Sequence, residues 1–126
     1  MIAYIVNRFE PNSKLWEIAK DLKRNYKLGL LTNMYPNMLN LIIKKKLIPD
    51  LKWDAIVDSS IVGFVKPQKE IYELATKEAE SEPNRILFIE NSEMHMKGAQ
   101  AIGWNTFLYD PVDTVLSNKN LLNFIG

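Results

Sequence analysis

Short apolar runs alternate with longer amphipathic segments along the whole chain. The runs are continuous, which is typical of strands that are covered on both faces of a parallel sheet. They lie at 2–6, 28–31, 55–57, 86–89 and 106–109. Polar residues follow each of the inner runs, as expected where a buried strand ends. The pattern therefore predicts five strands.

The segments between these runs repeat their apolar residues at helical spacing and carry helix start and stop signals. Helices are predicted over 13–25, over 36–46, from Pro67 onwards, from an Asn91 or Ser92 cap to Gly103, and over 112–123. The last helix is expected to pack through Val115, Leu116 and Leu122. Residues 59–65, which include Gly63, are expected to form a loop or a small ribbon.

This alternation predicts an α/β fold. Strand-helix-strand units of this length need right-handed crossovers and build a three-layer, doubly wound parallel sheet of the Rossmann type. Ligands of such sheets collect at the carboxyl ends of the strands. Those ends lie at Thr32-Asn33, after Val57, at Glu90-Asn91 and at Asp110.

Size and charge narrow the choice of function. A chain of 126 residues is expected to form one domain, spanning 1–126. A formal net charge of +1 provides no field that would attract nucleic acid or an anionic membrane, so neither is expected as a partner. There is no cysteine, and no apolar run approaches the roughly 20 residues that cross a bilayer. We expect a soluble, cytoplasmic protein.

Three segments at the predicted strand ends share their order and spacing with a known family. LGLLTN ends a strand with a hydroxyl and an amide, GFVKPQKEIYELA places Lys66 before a helix, and ILFIENSEMHMKGAQAIGW ends a strand with Glu90 and Asn91. From about Leu15 to Asp110 the chain resembles the core domain of the haloacid dehalogenase (HAD) superfamily of phosphohydrolases, without a substantial cap domain.

The resemblance implies a role for each of these positions. Thr32 and Lys66 would be catalytic, and Thr32, Asn33 and Lys66 would bind the phosphoryl group of a small phosphorylated molecule. Glu90 and Asn91 stand where the family usually carries Asp-Asp or Gly-Asp, and would hold Mg²⁺. Phosphoryl transfer needs the charge on the equatorial oxygens to be neutralised, which suits a hydroxyl and an ammonium group.

The amino end departs from the family pattern. In the family a central strand ends in Asp-x-Asp, and the first aspartate is the nucleophile. If residues 2–6 form this strand, Asn7 and Phe9 occupy approximately the two aspartate positions. Alternatively, the chain begins within the cap region of a longer relative, and a segment upstream or a second chain completes the sheet. We favour the first alternative, in which residues 2–6 take the place of the central strand.

Three functions are therefore open. The first is a phosphomonoester phosphatase that is weak or inactive as this chain. The others are a non-catalytic module that binds phosphate or a protein, and an incomplete piece of a phosphatase that an upstream segment or a separate chain completes. A homo-oligomer is a further alternative for the partner. Simpler interpretations compete at each site: Thr32 as a strand end, Lys66 as a surface lysine, and Glu90 with Asn91 as helix caps. His95, the single histidine, is assigned no role.

Overall fold

The structure is a computed structural model, and it describes residues 2–5, 15–45, 52–109 and 114–125. The strands are β1 (Ile2–Ile5), β2 (Lys27–Thr32), β3 (Ala55–Asp58), β4 (Ile86–Glu90) and β5 (Asn105–Leu108). The helices are α1 (Leu15–Leu22), α2 (Met38–Lys44), α3 (Ser59–Val62), α4 (Lys69–Glu78), α5 (Glu93–Gln100) and α6 (Thr114–Ile125), with a 3-10 turn at Pro83–Arg85.

The five strands form one parallel sheet in the order β3-β2-β1-β4-β5. Ile5 at the end of β1 is opposite Leu30 of β2 and Ile89 of β4. The strand predicted over 2–6 is thus present as Ile2–Ile5, in the centre of the sheet. Val6, Asn7, Phe9 and Asp110 lie outside the described residues.

Helices cover both faces of the sheet, which confirms the predicted three-layer α/β fold. Each face has its own apolar cluster, because neighbouring residues of a strand point to opposite sides. On one face β1, β2 and β4 pack against α1, α2 and α6 through Ala3, Ile5, Trp16, Ala19, Leu22, Leu28, Leu30, Leu39, Ile42, Leu87, Ile89 and Leu121. On the other they pack against α4 and α5 through Ile2, Tyr4, Leu31, Ile71, Tyr72, Ala75, Ala79, Ile86, Phe88 and Ala99.

The expectation of a loop or ribbon over 59–65 was wrong for its first half, which forms the one-turn helix α3. Asp58 caps this helix, since its Oδ1 accepts a hydrogen bond from the Ser60 N–H at 2.9 Å. Gly63 ends it with a φ of 85°, a left-handed conformation that glycine adopts without steric cost. The sequence showed a capping residue and a glycine at these positions, but they delimit a helical turn and not a loop.

In the last helix, the prediction that Leu116 packs inward is wrong. Leu116 is 51% exposed, whereas Ser117 and Leu121 are buried. Residues four apart lie on one face of a helix, so the inward stripe passes through positions 117 and 121 and leaves position 116 beside it. The side chains of Val115 and Leu122 lie outside the described residues. None of the described helices is long and apolar enough to cross a membrane.

Candidate functional site

The predicted site residues converge at the carboxyl ends of β2 and β4, on either side of β1. Thr32 is the last residue of β2 and Glu90 the last residue of β4. Lys66 lies in the loop between α3 and α4. All three are buried, at 2%, 1% and 4% relative exposure, although each is polar or charged. Buried polar groups at strand ends are the expected signature of a ligand site in such a sheet.

Lys66 and Glu90 form a buried ion pair. The Lys66 Nζ donates a hydrogen bond to Glu90 Oε2 at 3.0 Å, and the two side chains are only 2% and 1% exposed. Burial lowers the pKa of Lys66 below its ordinary value, and the charge of Glu90 and its hydrogen bond offset part of that effect. The sequence predicted both positions but did not predict that they are partners.

An aromatic cluster lies beside the ammonium group. The Lys66 Nζ is 5.5 Å from the centre of the Phe88 ring, within the range of a cation–π interaction. Phe88 packs edge-on against Tyr72 and Trp104, with ring centres 6.1 and 5.7 Å away. These rings exclude water from one side of the ion pair, which strengthens its electrostatic interactions.

Asn33 binds the main chain of Lys66 at two points. The Lys66 N–H donates to Asn33 Oδ1 at 2.8 Å, and Asn33 Nδ2 donates to the Lys66 carbonyl at 3.1 Å. Asn33 directly follows β2, so these bonds attach the lysine loop to the end of that strand. The sequence predicted a direct contact between Asn33 and the phosphoryl group, which stays a prediction.

Thr32 directly precedes Asn33, and its hydroxyl makes no hydrogen bond to another described residue. Beyond Asn33, the Met34 N–H donates to Ser59 Oγ at 2.8 Å, and Ser59 Oγ donates to the Met34 carbonyl at 3.2 Å. The loop after β2 is therefore bonded to the start of α3. These contacts fix the loop that follows Thr32, and the Thr32 hydroxyl can donate to an anion.

His95 is the residue that the sequence reasoning missed. Its Nδ1 is 3.5 Å from Glu90 Oε2, longer than an ordinary hydrogen bond, and this buried nitrogen has no hydrogen-bond partner among the described residues. Burial and the charge of Lys66 lower the pKa of His95, and Glu90 partly opposes them. His95 lies in the first turn of α5, whose Ser92 cap comes two residues after Glu90, the last residue of β4. That position in a first turn was the available signal.

The described residues do not fit a Mg²⁺ ion as they stand. Glu90 Oε2 accepts from Lys66, and Glu90 Oε1 accepts from the Asn91 N–H at 2.9 Å, so an ion at this carboxylate would compete with an ammonium group. The Asn91 side chain is exposed and offers one neutral oxygen. Within the described segments, no group of three or more His, Cys, Asp or Glu side chains could hold a metal. The assignment of Glu90 and Asn91 to a metal stays a prediction.

Comparison with known proteins agrees with this geometry. Residues 3–103 match the haloacid dehalogenase-like hydrolase family. The chain belongs to this family. The match includes Thr32, Lys66 and Glu90 together with the central strand β1.

Two curated relatives indicate the range of the family. The chain is 33% identical over 64 residues to bifunctional epoxide hydrolase 2 of Sus scrofa, covering 51% of this chain and 12% of the relative. It is 27% identical over 100 residues to (S)-2-haloacid dehalogenase of Pseudomonas sp. (strain YL), covering 79% of this chain and 43% of the relative. The chain thus spans less than half the length of either protein.

Solved structures support the same fold. A HAD family enzyme of Bacteroides thetaiotaomicron, in complex with magnesium and inorganic phosphate, superposes with a TM-score of 0.70 at 24% identity over 80% of this chain and 53% of that one. L-2-haloacid dehalogenase of Xanthobacter autotrophicus, with chloropropionic acid covalently bound, gives a TM-score of 0.68 at 21% identity over 79% of this chain and 40% of that one. Members of the fold thus take either a phosphate or a carboxylic acid.

Proposed function

We propose that this chain carries the anion-binding part of a HAD-family phosphohydrolase and binds a small phosphorylated molecule at the ends of β2 and β4. The observation that carries the proposal is the buried ammonium group of Lys66. It is held at the ligand-binding end of a parallel sheet, next to the strand end that presents the Thr32 hydroxyl.

The electrostatics of Lys66 favour an anionic ligand. A charge removed from water is expensive unless a partner compensates it, and Glu90 supplies one such partner. The ammonium group has three donors, and Glu90 is their one acceptor among the described residues. A phosphate oxygen would accept a further bond from Lys66 and one from Thr32. In this water-poor place such bonds are stronger than in solution.

Hydrolysis by this chain alone is proposed to be weak or absent. In the family reaction an aspartate oxygen attacks phosphorus, the ester oxygen leaves with a proton, and water then opens the aspartyl phosphate. The sequence after β1 reads Val-Asn-Arg-Phe, so this sequence has a carboxamide residue at approximately the position where the family motif has its nucleophile. Water could attack the bound phosphate directly, but without a covalent intermediate. A partner chain or a further segment with a carboxylate would restore the faster route.

Binding is proposed not to require Mg²⁺, because Lys66 already supplies the positive charge at Glu90. The family relatives include one crystallised with magnesium and phosphate, and a metal bound by residues outside the described segments would add Lewis-acid chemistry. No part of the binding proposal depends on it. The protein is further proposed to bind its small-molecule ligand in the cytoplasm, without nucleic acid or a membrane as partner.

A carboxylic acid is the second candidate ligand. It is favoured by the likeness to two 2-haloacid dehalogenases, one in sequence and one in structure. A carboxylate would use the same donors on Lys66 and Thr32 but would bring one negative charge where a phosphate brings up to two. The chemistry therefore favours phosphate, and 2-chloropropionate is the appropriate competitor.

Nuclear magnetic resonance titration with inorganic phosphate tests the binding proposal. The parent chain is compared with Lys66→Ala, Thr32→Val and the control Lys69→Ala, whose side chain is 72% exposed. Loss of a charge-assisted hydrogen bond worth about 1.5–3 kcal/mol predicts roughly tenfold or greater weakening for Lys66→Ala. Thr32→Val, which removes only a hydroxyl, gives a smaller loss, and the control less than about twofold.

The same titration decides between the alternatives. Circular dichroism establishes whether each variant is folded. If Lys66→Ala does not fold, Thr32→Val alone provides the test. Equal affinities in parent, Lys66→Ala and Thr32→Val would overturn the proposal. Tighter binding of 2-chloropropionate than of phosphate would favour the carboxylate candidate. Hydrolysis of an aryl phosphate that is lost in Lys66→Ala would overturn the proposed lack of turnover.

A further inference from the structure

The side chain of Asn33 makes two hydrogen bonds with the main chain of Lys66. The amide oxygen accepts from the Lys66 N–H at 2.8 Å and the amide nitrogen donates to the Lys66 carbonyl at 3.1 Å. We propose that Asn33 is a positioning residue, which sets the place of the Lys66 ammonium group and acts on a bound anion only through it. This inference rests on the proposed function and deepens it.

The pairing needs a side chain with both a donor and an acceptor. An asparagine has a carbonyl oxygen and an NH₂ group side by side, so it pairs with one residue's N–H and C=O as a neighbouring strand would. Aspartate keeps the acceptor, but it places a second oxygen against the Lys66 carbonyl and adds a negative charge near the anion. Alanine removes both bonds without adding a charge. Alanine is therefore the substitution that tests the pairing.

The loop that carries Lys66 is hydrogen-bonded both within itself and to the end of β2. Within the loop, the Val65 N–H donates to Gln68 Oε1 at 2.8 Å and the Gln68 N–H donates to the Val65 carbonyl at 2.7 Å. These bonds close the loop on itself. The Asn33 bonds join residues 33 positions apart and attach the loop to the end of β2. They therefore tie the Lys66 backbone directly to the sheet, beside the apolar contact that Phe64 makes with the core.

Lys66 is then held at both ends. Asn33 fixes the main chain, and Glu90 fixes the ammonium group at 3.0 Å across the end of β1. A lysine side chain has a flexible stem of four carbons. A displaced backbone would therefore move the ammonium group away from an anion that Thr32 orients. Loss of Asn33 should thus weaken anion binding without removing any charge from the site.

A double-mutant cycle on phosphate affinity tests this inference. The cycle compares the parent, Asn33→Ala, Lys66→Ala and the double variant, with Asn105→Ala as the control for an amide-to-backbone bond far from the site. Asn33→Ala is expected to weaken binding about threefold to tenfold, and Asn105→Ala not at all. In the Lys66→Ala background, Asn33→Ala should add less than about twofold. An equal loss in both backgrounds would show direct contact with the anion and overturn the proposal.

A second measurement does not depend on a ligand. The side-chain resonances of Lys66 report the surroundings of its ammonium group in the free protein. They should move in Asn33→Ala and stay in place in Asn105→Ala. Unchanged Lys66 resonances in Asn33→Ala would overturn the inference whether or not phosphate binds. Absence of phosphate binding by the parent, with moved Lys66 resonances, would overturn the proposed function and leave the positioning role supported.

Discussion

Two lysine–carboxylate pairs in this protein have the same chemistry and opposite surroundings. Lys23 pairs with Asp54 beside the start of β2, where both side chains are 31% exposed. Lys66 pairs with Glu90 at the other end of the sheet, where the side chains are 2% and 1% exposed. Water screens the first pair and is excluded from the second.

The exposed pair belongs to a structural clasp. Asp54 Oδ2 also accepts from the Leu28 N–H at 2.8 Å, and the Asp54 N–H donates to the Leu28 carbonyl at 2.8 Å. Burial raises the pKa of Asp54, but the hydrogen bonds from Lys23 and Leu28 and the neighbouring lysine charges outweigh it and hold that pKa below its ordinary value. These bonds fasten the segment before β3 to β2. The buried pair also has backbone bonds, from the Asn91 N–H to Glu90 Oε1 and between Asn33 and the main chain of Lys66, but it lies at the strand ends where a ligand would bind.

The largest expected difference is in stability. Glu90→Ala leaves the Lys66 ammonium group buried without its partner and should lower the free energy of unfolding by about 3–5 kcal/mol. Lys23→Ala removes an exposed partner and should lower it by about 0–1 kcal/mol. Urea unfolding at neutral pH measures both. A loss for Glu90→Ala as small as that for Lys23→Ala would show that water reaches Lys66.

Removing both charges of the buried pair should restore stability without restoring function. Lys66→Met combined with Glu90→Gln keeps similar volumes and leaves no buried charge, so its free energy of unfolding should lie within about 1 kcal/mol of the parent or above it. Phosphate binding should be lost in the same variant. If the double variant is as unstable as Glu90→Ala, the pair is needed for folding and the functional interpretation is weakened.

The ionisation of His95 reports the charges of the buried pair. Its pKa should lie below the ordinary value of about 6.5, with burial as the main cause. Lys66→Ala should raise it by removing a positive charge, and Glu90→Gln should lower it further. Because the folded state favours the neutral imidazole, this contribution to stability is complete above pH about 6.5 and is lost as the pH falls through the folded-state pKa. Resonances of the His95 ring measure the pKa, with Lys23→Ala as the control. A His95 pKa that is unchanged in both Lys66→Ala and Glu90→Gln would contradict the described contacts.

The smallest expected effect concerns salt. Raising the salt concentration from about 0.05 to about 1 M shortens the screening length to about 3 Å. The stability difference between parent and Lys23→Ala should shrink, while the difference for Glu90→Ala should persist. The same unfolding measurements at the two concentrations test this. Equal salt dependence of the two differences would mean that the pairs are equally hydrated.

Much of the fold could be read from apolar periodicity. The buried runs of β2 and β4 are continuous, and each is followed by polar residues that fall at the ligand-binding end. Elements with weaker patterns were less well predicted. The helix α3 depends on one side-chain cap and one glycine, and the orientation of α6 depends on which stripe meets the sheet. Both are decided by a few contacts that composition does not report.

By itself, the sequence determined the parallel α/β architecture, the strand ends that carry Thr32 and Glu90, the loop that carries Lys66, and the likeness to the HAD family. Periodicity and motif spacing are local properties, so they can be read directly from the amino-acid sequence. The tertiary structure decided which residues are in contact: Lys66 with Glu90, Asn33 with the main chain of Lys66, and His95 beside the ion pair. These partners are brought together by crossover connections, and their burial changes the strength of each charge. Both effects exist only when the sheet has formed.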